Sequence, residues 1–284
     1  MGSLAQFVLK GRKQAILAVI ILGAIPLVYL LNPVVVGLIM LRKGVSEAAV
    51  ILCWALLPMV TWAYVFGDMI PLIMLFGLTG LAWLLRETQS WQFTMLGAIA
   101  IGVVVEIYLH LQPAIMDNFF IQLEIILAQN EVESLQGSFS LEELREVLIS
   151  MIGSGYMFVS IMLLMLCRWM QANLFNPGGF QTEIHLLRID RKIAFVLVVL
   201  VVLSLFGIVV PQAWLFYLLI PLVIAGMALV HYTVAQRKLS SLYLVAMYAL
   251  IVIKPQTVLQ VIVLLALVDS QLDLRKKINK SGST

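Results

Sequence analysis

The chain has 284 residues, of which 62% are hydrophobic and 12% charged, with a net charge of +3 and a mean hydropathy of +1.05. Domains that live in water carry about 25% charged residues, so this composition excludes a water-facing surface, and hydrocarbon must cover most of the outside. The small net charge gives no reason to expect a nucleic-acid partner, and the two cysteines, Cys53 and Cys167, lie in apolar runs and set no disulfide framework.

At the start, Lys10, Arg12 and Lys13 precede an apolar run over 14–31. That run is long for a signal-peptide core and no small-x-small cleavage site follows it, so it reads as an uncleaved first span. Further runs at 45–66, 69–85, 91–112, 148–168, 193–210 and 213–231 each approach the roughly 20 residues that a spanning helix requires. Shorter runs at 33–41, 240–253 and 256–269 would reach only about 14 to 21 Å as helices. They read as short helical hairpins or re-entrant pieces, which survive at membrane depth when packed against other helices. The predicted fold is an all-α, polytopic transmembrane helical bundle, one integral membrane domain over 1–284, with short hairpins near both ends.

The basic residues orient this map. With the N-terminus inside, every Lys and Arg except Arg145 and Lys254 falls in a cytoplasmic loop or the C-terminal tail, as the positive-inside rule asks. A single span over 14–41 would put Arg42 and Lys43 outside, which favours a hairpin there.

Residues 113–147 break the apolar pattern with Asp117, Glu124, Glu131, Glu133, Glu142, Glu143 and Glu146 against the lone Arg145. Phe119, Phe120, Leu123, Ile126 and Leu127 recur there at helical spacing, the pattern of an amphipathic helix on the outer surface. Ser140-Leu141-Glu142-Glu143 has the form of a capping box opening the next helix. This segment is either an acidic solvated lid or a docking surface for a partner.

Ionisable residues within spans are the first candidates for chemistry. Glu106 and His110 share one helical face near the outer end of the 91–112 run, while Asp68 and Lys254 fall in turns at similar depth. Converging, these four would form a site for a small polar ligand or a proton; otherwise they are interface residues, with Glu106 and His110 satisfying each other. Met151, Met157, Met162 and Met165 read as core filler, since no Cys or His is spaced with them as ligands. Ala98-x-x-x-Gly102 reads as a close helix contact. No P-loop, H-E-x-x-H or G-x-S-x-G pattern is present, and neither a metal nor another cofactor is implied.

The most distinctive inner stretch, 169–192 with Arg168 before it, contains Asn176-Pro177-Gly178-Gly179-Phe180 followed by Glu183, His185 and Arg188. Asn-Pro-Gly-Gly is strong turn chemistry, suited either to a rigid inter-helix loop or to a contact with a cytoplasmic partner. Together with Trp169 and Gln171, and with the earlier Pro33…Leu41-Arg42-Lys43-Gly44 hairpin, it resembles the gammaproteobacterial branch of the YybS-like family of bacterial membrane proteins, a domain of unknown function, over most of the chain. That resemblance implies the bacterial inner membrane and a fold similar to the S-components of energy-coupling-factor transporters and to the rod-shape scaffold MreD, while the charge map places both termini in the cytoplasm. S-components often carry Ala-x-x-x-Ala on the first helix for docking the coupling subunit; here the spacing is Ala15-x-x-Ala18.

The leading expectation is thus a non-enzymatic, S-component-like subunit, embedded in the lipid bilayer, that binds or helps transport a small ligand from the outer side. The alternative is a structural scaffold for envelope assembly that docks membrane or cytoplasmic proteins. An intramembrane enzyme comes third.

Overall fold

A computed structural model describes residues 2–26, 28–129 and 141–281 of the protein. Helices follow one another as α1 Gly2–Lys10, α2 Arg12–Ala24, α3 Asn32–Lys43, α4 Val45–Phe66, α5 Ile70–Thr88, α6 Trp91–Leu111 and α7 Pro113–Gln129. The second half contains α8 Leu141–Phe175, α9 Gly179–Leu186, α10 Arg191–Leu205, α11 Leu215–Gln236, α12 Leu242–Ile253, α13 Pro255–Leu272 and α14 Leu274–Ser281. There is no strand among the described residues. Among the described residues, six segments are long and apolar enough to cross a membrane: Val45–Phe66, Ile70–Thr88, Trp91–Leu111, Glu142–Phe175, Gln212–Gln236 and Pro255–Leu272. The protein is an all-α, multi-pass membrane protein.

Three apolar runs end differently from the expectation. The run over 14–31 is not one helix. Its helix stops at Ala24, and Ile25 is extended because it precedes Pro26, whose ring disfavours helical geometry in the residue before it. The chain then turns back into α3, so α2 and α3 form a hairpin of two helices that are each about 20 Å long. The run over 193–210 stops at Leu205, where Gly207 takes φ +65° and the amides of Gly207 and Ile208 bond the carbonyls of Ser204 and Leu203. That pattern is a Schellman stop, which a glycine at the left-handed position allows. The run over 256–269, expected to be a short piece, extends to Pro255–Leu272 and is long enough to span; α12 stays short.

Helix α3 forms the centre of the N-terminal half. Asn32 and every residue from Pro33 to Leu41 are buried, the signature of a helix surrounded on all sides. It packs against α2, α4, α5 and α8. Ala15 and Ala18 are buried too, on a helix packed against α1, α3 and α4, so they present no docking stripe. At the hairpin tip, Asn32 donates to the Val19 carbonyl at 3.1 Å and Trp62 to that of Gly23 at 2.6 Å. A Cβ on Gly23 would lie 2.4 Å from the Pro58 ring; glycine lets α2 reach α4 there.

Side-chain bonds between helix ends define two faces. Arg12 at the start of α2 grips Glu47 at the start of α4 at 2.6 and 2.9 Å. Arg86, near the end of α5, donates to the carbonyls of Met40 and Leu41 at the end of α3. Arg168 in α8 pairs with Glu183 in α9, and Arg275 in α14 reaches the carbonyls of His185 and Leu187. These ends share one side of the bundle, the basic face. The opposite face carries the Gly67–Met69 turn, bonded by Tyr108, and the Asp117–Arg145 pair at 2.8 Å between α7 and α8. In α7, Met116 is buried while Phe119 and Ile121 are exposed. The Ser140 capping box and the acidic residues Glu131 and Glu133 lie outside the described residues.

Candidate functional site

Glu106 sits on α6 with 8% of its surface exposed. Its Oε1 accepts from the Ser150 hydroxyl and the Trp214 indole N–H, both at 3.0 Å, and its Oε2 from the Tyr217 hydroxyl at 2.7 Å. The donors come from α8, from the 3-10 turn Gln212–Trp214, and from α11. A carboxylate offers only acceptor sites, about four of them, and here three donors from other helices occupy both oxygens.

The approach that makes this contact depends on two facing glycines. A Cβ on Gly153 would lie 2.0 Å from the Tyr217 hydroxyl and 2.8 Å from the Gly102 carbonyl oxygen, and one on Gly102 would lie 2.7 Å from the Gly153 carbonyl oxygen. Gly102 belongs to the Ala98-x-x-x-Gly102 pair, and Ala98 is fully buried. The small residues bring α6 and α8 together, as such pairs do in membranes, and Tyr217 fills the remaining gap.

Among the described residues, no hydrogen bond or ion pair between side chains joins the four residues expected to converge. The His110 ring does not meet the Glu106 carboxylate: its Nδ1 lies 2.8 Å from the Glu106 backbone carbonyl oxygen and its Nε2 3.1 Å from the Glu146 carboxylate. A residue one turn on finds the preceding carbonyl as readily as the side chain, and the Glu106 side chain is taken by other helices. Asp68 accepts the Ile70 amide at 2.9 Å and closes the start of α5. Lys254 is exposed at the turn between α12 and α13. No hydrogen bond or ion pair among the described residues joins Asp68 or Lys254 to Glu106 or His110. Met157 is fully buried and Met151 exposed, and no three His, Cys, Asp or Glu side chains cluster as metal ligands among the described residues.

The basic face does contain a cleft of about 380 Å³, bordered by the α5–α6 turn, α8 and α9, with Arg86, Trp91, Gln92, Arg168, Gln171 and Glu183 in its walls. Arg168 holds Glu183 through Nε at 2.9 Å and through a shorter Nη2 contact, and it also donates to Gln171 at 2.6 Å. Gln171 donates to the Leu41 carbonyl at 3.3 Å. Gln92 donates to the Asp190 carboxylate at 3.1 Å and accepts the Asp190 amide. Trp91 is 7% exposed and its buried indole N–H has no partner among the described residues, although buried donors are nearly always paired.

The Asn176–Phe180 turn leads into α9, which supplies Glu183 and Leu186 to the cleft. Gly178 has φ +85° and caps α9, while Gly179 is the first residue of that helix. Phe180 packs edge-on against Trp91 with centroids 6.3 Å apart. Behind α9, Arg275 is 6% exposed and pairs with the buried Asp269 at 3.2 Å while donating to the His185 and Leu187 carbonyls. Arg188 pairs with Asp273 at 2.8 Å. Burial holds the His185 imidazole below its ordinary pKa, and nearby His231 and Arg275 push the same way.

Sequence reading missed Gln92, Asp190, Asp269 and Arg275, whose partners lie far along the chain; a buried-helix Asp269 six residues before Arg275 was the only local signal. Compared with family models, curated proteins and solved structures, this chain matches none.

Proposed function

We propose that the protein is a non-enzymatic, multi-pass membrane subunit that docks a partner protein through the cleft on its basic face. One observation carries this: a cleft of about 380 Å³ stands open there, with Arg86, Gln92, Arg168 and Gln171 in its walls. Glu106, by contrast, has both oxygens occupied by its own protein's donors and serves to hold α6, α8 and α11 together.

The partner's contribution is a carboxylate-bearing segment. It meets a face that carries Arg12, Lys43, Arg86, Arg168, Arg188 and Arg275. The charged walls of the cleft are held in ion pairs and hydrogen bonds, which suits recognition better than proton transfer. In this reading the basic face is cytoplasmic, by the positive-inside bias, and the membrane is a bacterial inner membrane, in keeping with the resemblance to the YybS-like family.

A photo-crosslinking residue placed in living cells at Gln89, on the cleft rim, or at Leu186, 66% exposed on its wall, tests the proposal. Both positions are expected to capture the same protein, whereas Leu57, exposed on the span α4, captures none. Absence of a protein adduct from 89 and 186, with a co-purifying metabolite lost when the cleft is blocked, would replace docking with small-ligand binding.

A further inference from the structure

A second groove, of about 600 Å³, opens on the side of the bundle between α8, α9, α11 and α12. Along α8 its wall is Phe158, Met162, Met165, Trp169 and Asn173, one face of the helix at spacings of three and four. From Phe158 to Asn173 this wall runs about 22 Å. Facing it on α11 are Ile224, Met227 and His231.

Both helices run toward the basic face, because Ser150 and Tyr217 meet at Glu106 near one end and Arg168 lies near the other. The groove is therefore graded along the helix axes. Its deep end is Phe158, Met162 and Ile224. Its end at the basic face holds Asn173, Gln181 and His185, with His231 Nε2 2.8 Å from the Tyr248 hydroxyl oxygen just below. Asn173 and Gln181 are exposed, and Phe158, Trp169 and Tyr248 are 43%, 39% and 43% exposed along the opening.

We propose that this groove binds one phospholipid of the leaflet bordering the basic face, with an acyl chain along Phe158, Met162 and Met165 and the headgroup phosphate at Asn173, Gln181 and His185. Its length supports a lipid: one leaflet, headgroups included, is about 20–22 Å deep. The polarity runs in the same sense as the leaflet's own, and the polar end lies on the face rich in Lys and Arg, which attracts phosphate. The wall chemistry separates a lipid from a second helix. Helix partners in membranes meet over Gly, Ala and Ser; here Ala172 and Ala228 lie among the larger Phe158, Met162, Met165, Trp169 and Met227, which form an adaptable surface that follows a flexible chain.

Native mass spectrometry of the full chain, delipidated in mild detergent and titrated with phosphatidylglycerol, decides the matter. The wild type is expected to show one saturable lipid adduct. Met162→Trp, which fills the groove, and Asn173→Asp, which sets a negative charge at its exposed rim, are each expected to weaken that adduct about tenfold, equivalent to about 1.4 kcal/mol. Should Met162→Trp fold poorly, Asn173→Asp carries the test alone. Unsaturable adducts in the wild type, equal affinity in the folded variants, or a dimer that Met162→Trp dissolves would each overturn the proposal, the last by assigning the groove to a second copy.

Discussion

The Tyr217 hydroxyl on α11 donates to Glu106 on α6 at 2.7 Å, through a gap left by Gly102 and Gly153. This contact ties the C-terminal half of the bundle to the N-terminal half, and its cost of removal is predictable. Glu106→Gln presents an amide N–H₂ to a hydroxyl or indole donor, leaving at least one buried group unpaired at a cost of about 1–3 kcal/mol. Both Glu106→Gln and Tyr217→Phe are expected to lower Tm in detergent, and the double variant to lose less than the sum, since contacting residues couple. Additive losses would mean that the two side chains stabilise independently. A site built for ligand would instead give Glu106→Gln an unchanged Tm with lost ligand retention.

Gly153→Ala provides a sharper steric test. The added methyl would meet the Tyr217 hydroxyl at 2.0 Å and the Gly102 carbonyl oxygen at 2.8 Å, so α6 and α8 must part. Reduced folded yield is expected from Gly153→Ala. Gly155→Ala, on the same helix with nothing within 4 Å of its Cβ position, is expected to leave yield unchanged. Equal yields from the two variants would contradict the packing described.

The turn before α9 separates backbone strain from crowding. Gly178 has φ +85° and open space around its Cβ position, so Gly178→Val loses stability through its backbone alone, by roughly 1–2 kcal/mol or more. Gly178→Asn is expected to be milder, because Asn tolerates the left-handed region. Thermal unfolding of both variants checks this, and identical Tm values for Val and Asn would show that the turn relaxes freely.

Much of this bundle was legible from hydropathy. The runs at 45–66 and 91–112 coincide with α4 and α6 almost to the residue, because a span is set by local apolar length. The hairpin over α2 and α3 was legible from the position of Arg42 and Lys43, but its turn required weighing Ile25-Pro26 as a stop. What could not be read locally were the long-range pairs. Helical spacing placed His110 beside Glu106 and gave no hint that the carboxylate belongs to Trp214 and Tyr217, more than a hundred residues on. Gln92 with Asp190, and Arg275 with the His185 carbonyl, likewise exist only once the helices have assembled.

Stability should depend on pH through His185. Burial lowers its pKa in the folded protein, against an ordinary value of about 6.5, so below that value the unfolded chain takes up the proton more readily. The stability His185 contributes is full above about pH 6.5 and is lost as pH falls toward the lowered folded value. Tm is expected to drop between pH 7.5 and pH 5.5, and His185→Gln to shrink that drop. An equal drop in the variant would assign the effect to another group, such as His231 across the groove.

The central claim is that a carboxylate-bearing partner enters the basic-face cleft, and charge at its exposed wall tests it most directly. With a photo-crosslinking residue at position 89, adduct yield is compared in Leu186→Glu and Leu186→Lys, both at a site 66% exposed and therefore neutral for folding. The account predicts that Leu186→Glu cuts the adduct about tenfold, a loss of about 1.4 kcal/mol, while Leu186→Lys retains it and both keep the wild-type Tm. Equal adduct yields from the two variants would contradict it.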